Sequence, residues 1–148
     1  ELLKDNIFQN FLHENNILFI IKGDYQINSL KNIMIINSFL SVNEYEYLFI
    51  SSDIIIINYP MSFKYRTSGV FWECVANDKL CLLSDIEAFV GYGHFMKYEP
   101  YFNTKEQFML KIIETLNLDE NIKNNPYSEK TKLKPNFQEL LKLNQDLT

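Results

Sequence analysis

Apolar residues in this chain fall into two patterns: short unbroken runs, and longer stretches in which they recur at helical spacing. The clearest short run is Ile54, Ile55, Ile56 and Ile57, preceded by Asp53. It is β-branched and too short for a buried helix, so it predicts a parallel strand buried on both faces. The chain leaves that strand through Asn58-Tyr59-Pro60 and runs on to Arg66. At Thr67-Ser68-Gly69 a helix is predicted to begin, with Val70, Phe71, Cys74 and Val75 on one buried face and Asn77-Asp78 stopping it. Leu80, Cys81, Leu82 and Leu83 then form a second buried strand. This strand–loop–helix–strand unit belongs to an α/β fold, and its loop lies at the carboxyl end of a strand, where open parallel sheets bind ligands.

The same reading extends along the chain. Leu2, Leu3, Ile7, Phe8, Phe11 and Leu12 predict an amphipathic helix over residues 2–14, which Asn15-Asn16 ends. Strands are predicted over 17–21 and 33–36, and the Ser41–Glu44 capping box predicts a helix over 42–51. Gly91 and Gly93 suggest a surface turn, and residues 97–102 a short edge strand demoted by Pro100. Thr104 and Gln107 repeat the capping pattern ahead of a helix to about Asn117. Residues 117–135 are polar and read as a loop, after which Asn136 caps a last helix carrying Phe137, Leu140, Leu141 and Leu143.

The head of the helix at Ser68 is where chemistry is expected. A helix start offers free N–H groups and the positive end of the dipole, and a glycine lets a ligand approach the backbone. Arg66, just ahead, suits bidentate phosphate contact, and Glu73, one turn in, suits a pair of vicinal hydroxyls such as a ribose. Phosphate donors beside a diol acceptor suit a nucleotide, above all a nucleotide diphosphate linked to a sugar. The plainer reading is a simple cap with a surface ion pair. Lys22, at a strand end beside Gly23, either reaches a phosphate or is merely solvated. His94 is a conceivable phosphate or hydroxyl contact on a turn, and His13 is a solvated helix terminus.

The order Ser52-Asp53, the Ile run, Tyr65-Arg66-Thr67-Ser68-Gly69-Val70, Glu73, then Lys79 to Asp85 resembles the donor-binding half of a GT-B glycosyltransferase of family 4 (group 1). The likeness spans about Leu18 to Leu116 and is most specific in its middle third. It implies that the Ser68, Gly69 and Val70 amides, with Arg66 and Lys22, hold the donor diphosphate and that Glu73 holds the ribose. Many members carry two glutamates eight positions apart. With Glu73 as the second, the first position is Tyr65, which with Thr67 marks the donor-sugar region. Where the family often has a glycine at the helix end, this chain has Asn77-Asp78, which tolerate the left-handed turn that a glycine would supply.

The implied activity is transfer of a sugar from a nucleotide-sugar to a hydroxyl acceptor, glycan or lipid-linked. The alternative is a non-catalytic nucleotide-binding or scaffold module that kept the fold and lost the chemistry. An unrelated nucleotide hydrolase would need a P-loop or a nucleophile–base pair, and neither occurs. The expected fold is α/β, a Rossmann-like parallel sheet flanked by helices, corresponding to the C-terminal half of a GT-B fold without its first strand. Residues 1–148 are thus expected to be a single partial nucleotide-sugar-binding domain, with 118–148 as linker plus C-terminal helix. Its partners would be the donor and an N-terminal acceptor-binding domain absent from these residues, through which any peripheral membrane contact would run. No Asp-Xaa-Asp motif occurs, so neither metal nor cofactor is expected.

Composition narrows the field further. A net charge of −5 over 148 residues argues against a nucleic-acid binder held by phosphate contacts. No run reaches the roughly eighteen apolar residues of a membrane span. Cys74 and Cys81 lie inside apolar segments and read as reduced core thiols, which suits a cytoplasmic protein, at the inner face of the membrane if the absent half makes that contact.

Overall fold

The computed structural model describes residues 2–25, 30–63 and 67–128. The architecture is α/β, with two small open parallel sheets flanked by helices, as in Rossmann-like chains. The chain divides into two compact units, residues 1–49 and 50–148. No helix among the described residues is long and apolar enough to cross a membrane.

In the first unit a 3-10 turn, Leu2–Lys4, precedes α1, Asn6–Glu14. The expected continuous helix over 2–14 is interrupted because Asp5 takes an extended conformation and its side chain accepts from the amides of Ile7 and Phe8. That is an N-cap inside the apolar pattern. Phe8 and Leu12 are fully buried, and Phe8 meets Phe19 edge-on at 5.4 Å. Strands β1, Phe19–Lys22, and β2, Ile33–Ile36, pair in parallel with Phe19 opposite Ile33. β1 starts later than the expected residue 17 because Ile17 belongs to the helix cap. Its amide bonds the Leu12 carbonyl at 2.8 Å across Asn16, whose φ is 53°. Helix α2, Val42–Ser51, starts at the anticipated capping box.

The second unit holds a three-stranded sheet in the order β3 (Ile54–Ile57), β4 (Leu80–Ser84), β5 (Tyr101–Phe102), all parallel. Every residue of β4 is buried, as a central strand in a two-faced sheet requires. β3 is less enclosed than its sequence implies: Ile54, Ile55 and Ile56 are half-buried and only Ile57 is buried. Helix α3, Gly69–Ala76, crosses from β3 to β4 and packs on both. It ends as α1 does. The Lys79 amide bonds the Cys74 carbonyl at 2.9 Å across Asp78, whose φ is 53°, so Asp78 supplies the left-handed turn expected there.

Helix α4, Lys105–Leu116, is capped by the Thr104 hydroxyl and seats Phe108 against Phe102 at 4.8 Å. Each such fully buried aromatic or aliphatic side chain contributes about 1.5–3 kcal/mol. Cys74 and Cys81 are free thiols in this core, both fully buried.

Three expectations are corrected here. The strand over 97–102 shrinks to two residues, because Tyr98 turns its side chain toward β4 and only Pro100 onward lies in the ladder. The turn at Gly91-Gly93 is a 3-10 helix, Tyr92–Phe95, buried through Tyr92. The segment from 117 is not a linker over its first part. Asp119 caps a short helix α5, Glu120–Asn124, and Tyr127 is buried while its neighbours pair with the chain at 95–97. The expected helix after Asn136 lies outside the described residues.

Candidate functional site

β3 delivers the chain to the carboxyl edge of the sheet, where Tyr59 is fastened at once. Its amide donates to Ser84 Oγ at 3.1 Å, and Ser84 Oγ donates back to the Tyr59 carbonyl at 3.1 Å. A 3-10 turn, Met61–Phe63, follows, with Phe63 and Phe89 each 5.5 Å from the Tyr59 ring. The chain returns at Thr67, which is exposed, and enters α3 through Ser68.

Ser68 is an N-cap with no exposure at all. Its Oγ accepts from the Phe71 amide at 3.2 Å and donates to Tyr59 Oη at 3.3 Å. Its own amide donates to Tyr92 Oη at 3.1 Å. Tyr92 is held by stacking on Phe71, at 4.0 Å and 13°, and on Phe89, at 5.3 Å and 26°. Three residue-to-residue links, Ser84 Oγ to the Tyr59 backbone, Tyr59 Oη to Ser68 Oγ and Tyr92 Oη to the Ser68 amide, thus fix the first turn of α3 to the ends of β3 and β4.

This arrangement sorts the three amides that were expected to hold a diphosphate. Ser68 is withdrawn into the core, its N–H committed to Tyr92. Gly69 is exposed, and a Cβ built on it would meet nothing within 4 Å. Among the described residues the Gly69 and Val70 amides have no hydrogen-bond acceptor, as expected of the first two positions of a helix. Glu73, one turn along, is exposed. The structure therefore brings Ser68, Gly69, Val70 and Glu73 to one end of α3, with Thr67 alongside. Lys22 is exposed at the end of β1, in the other unit, and His94 is exposed on the 3-10 helix beside Tyr92. Tyr65 and Arg66 lie outside the described residues.

The site is an open surface. One cleft of the second unit, about 260 Å³, lies at the amino ends of β3 and β4, between Asp53, Asp78, Lys79 and Lys123. Another is bounded by Asp85, Glu99, Asn103 and Lys111 beside β5. Neither is lined by Ser68, Gly69, Val70 or Glu73.

Tyr59, Ser84 and Tyr92 are the residues that sequence reasoning passed over. Their roles are contacts at 24 or 25 residues' separation for the Ser68–Tyr92 and Tyr59–Ser84 pairs, which no local pattern signals. The one available hint was a large aromatic between two glycines, Gly91-Tyr92-Gly93. Comparison with protein families, with curated proteins and with solved structures finds no match to this chain, so the likeness to glycosyltransferases stands on the residues named above.

Proposed function

We propose that these residues form the donor-binding part of a nucleotide-sugar-dependent glycosyltransferase, acting with an acceptor-binding domain outside them, on the cytoplasmic side of the membrane. The observation that carries the reading is the treatment of the α3 amino end: Ser68 is pulled inward, and among the described residues a Cβ on the exposed Gly69 that follows it would meet nothing within 4 Å. A diphosphate seated there receives two N–H donors and the positive end of the helix dipole. Glu73 lies one turn away to accept from ribose hydroxyls, and Arg66 precedes the cap in sequence.

The reaction breaks the bond from the anomeric carbon to the diphosphate oxygen and forms one to the acceptor oxygen, whose proton passes to the released diphosphate. Charge grows on the departing diphosphate, so donors already aimed at it lower the barrier. The seat differs from the one the resemblance implies, since it uses the Gly69 and Val70 amides with Ser68 as their support.

Calorimetric titration with UDP and GDP tests the reading. Binding is expected, and Gly69→Ala is expected to weaken it by about tenfold or more, because the new methyl stands over the amides. The same substitution should leave the fold intact or raise its stability by about 0.4–1 kcal/mol, since Gly69 is not in a left-handed conformation. Titrations without heat for either nucleotide would remove the proposal. The position of Tyr65, where many relatives of the resembled family carry a carboxylate, favours a second reading, nucleotide binding without transfer. Product formed from any sugar donor by the complete protein excludes it.

A further inference from the structure

A second cluster of reactive groups is buried where the carboxyl half of α3 packs on β4. Phe71 and Cys74 lie one turn apart on the inner face of that helix. The Phe71 ring meets the Tyr127 ring edge-on at 6.2 Å, and the Cys74 thiol is hydrogen-bonded to the Cys81 thiol. Cys81 Sγ in turn lies 3.6 Å from Tyr127 Oη. Tyr127 has a single hydroxyl hydrogen, which it gives to the Lys79 carbonyl at 2.6 Å. Cys81 therefore donates to Tyr127, and Cys74 donates to Cys81. The series closes on itself, because the Lys79 amide bonds the Cys74 carbonyl at 2.9 Å.

Packing alone does not ask for this arrangement. A core thiol behaves as a small hydrophobe, whereas these two stand as donor and acceptor in direct contact. The hydrogen bond from Cys74 holds the Cys81 thiol below its ordinary 9.0, and giving that hydrogen pushes Cys74 well above it. Cys81 is thus the more readily ionised and nucleophilic sulfur, and Cys74 stands where a resolving thiol must.

We propose that Cys74 and Cys81 form a peroxide-sensitive dithiol switch whose disulfide draws the carboxyl half of α3 against β4. Both thiols are fully buried, which keeps out an oxidant of glutathione's size and leaves a peroxide, small enough to enter on a brief opening of the core. The Cys81 sulfur attacks one peroxide oxygen, breaks the O–O bond and becomes a sulfenic acid, releasing water. The Cys74 sulfur then attacks Cys81 Sγ, forms the S–S bond and displaces that oxygen as a second water. The two thiol hydrogens end in the waters, and the sulfurs are oxidised as the peroxide is reduced. Bringing the sulfurs from hydrogen-bond contact to bonding distance moves α3 and removes the hydrogen given to Tyr127. Trp72, the one tryptophan of the chain, sits on that helix with its ring 5.8 Å from that of Tyr92 and 6.0 Å from that of Phe95, so its fluorescence reads the movement.

Rising amounts of hydrogen peroxide added to the folded chain, followed by catalase, unfolding and alkylation, test the switch. Expected are the loss of two alkylatable thiols, one peptide pair joined through Cys74 and Cys81, and a change in Trp72 emission that dithiothreitol reverses. Cys74→Ser keeps a hydrogen-bond donor beside Cys81 but cannot resolve it, so dimedone should trap a sulfenic acid on Cys81 with no reversible change in emission. Two thiols that stay alkylatable at peroxide levels which oxidise the methionines overturn the proposal. So does a disulfide that forms and leaves Trp72 emission unchanged, or a Cys74→Ser chain whose emission shifts as the parent's does. The first measurement uses the unaltered chain and does not depend on the variant folding.

Discussion

The phenol of Tyr98 closes the hydrogen bonding of Cys81 on its own: it accepts from the Cys81 amide at 2.7 Å and donates to the Cys81 carbonyl at 2.8 Å. β5 is too short to reach that far along β4, so one side-chain oxygen stands in for a missing strand residue. Replacement by phenylalanine keeps the ring and leaves two backbone groups of a fully buried residue without partners. An unsatisfied buried group costs about 1–3 kcal/mol, so Tyr98→Phe should destabilise the chain by about 2–5 kcal/mol in urea unfolding. A loss below about 0.5 kcal/mol would show that water serves Cys81 equally well.

Alkaline pH should act on the same region. Burial first, and then the neighbouring Cys81 sulfur, push the Tyr98 and Tyr127 phenols well above their ordinary value of 10.0. Tyr127 donates to the Lys79 carbonyl at 2.6 Å and is almost wholly buried, so it too stays neutral in the folded state. The unfolded chain ionises these phenols near pH 10 and the folded chain does not. Their contribution is therefore full below pH 10 and falls as pH rises through the raised folded values. Stability measured between pH 9 and about 11.5 should decline, and Tyr127→Phe should flatten the decline.

The capping box of α2 gives the opposite dependence. Hydrogen bonds from the Ser41 hydroxyl, at 2.7 Å, and the Ser41 amide, at 2.8 Å, hold the Glu44 carboxyl below its ordinary 4.5. A lowered folded value means that the contribution is present above 4.5 and disappears as pH falls through the lowered value. Ser41→Ala should reduce helicity slightly at pH 7, read by circular dichroism, and by less at pH 2, where only the bond from the Glu44 amide to Ser41 Oγ is left to lose. An equal loss at both pH values would assign the effect to helix propensity instead.

Two glycines that bracket Tyr92 should respond differently to alanine. A Cβ on Gly93 would stand 3.0 Å from Tyr101 Cε2 and 3.1 Å from its hydroxyl, while one on Gly91 meets nothing within 4 Å. Tyr101 Oη accepts from the Gly93 amide at 2.8 Å and also donates to the Phe89 carbonyl, so the ring cannot retreat without loosening both. Thermal unfolding should show Gly93→Ala destabilised by about 1–3 kcal/mol and Gly91→Ala within about 0.5 kcal/mol of the parent.

What was legible in the sequence was local. The Ser41–Glu44 box, the Ser68 cap, the left-handed stop at Asp78 and the isoleucine strand are all written within a few residues, and all four stand in the structure. Asp5 was obscured by the apolar spacing on either side of it, which suggested one helix where a cap divides two segments. The α5 segment was obscured by polarity: its order comes from Tyr127, outside the helix, burying itself against β4. At the candidate site the cap and the bare glycine could be read, but the reason Ser68 turns inward could not. That reason is a pair of tyrosine hydroxyls which, by residue type, look like ordinary core aromatics.

The tethering of Ser68 by Tyr59 and Tyr92 bears on the kinetics of any encounter at this surface. A turn clamped from behind by hydroxyls has little disorder left to surrender, so capture there would not wait on a loop rearrangement. Association should then run at a rate governed by collision and ionic strength, and differences in affinity among ligands should reside in how fast they leave.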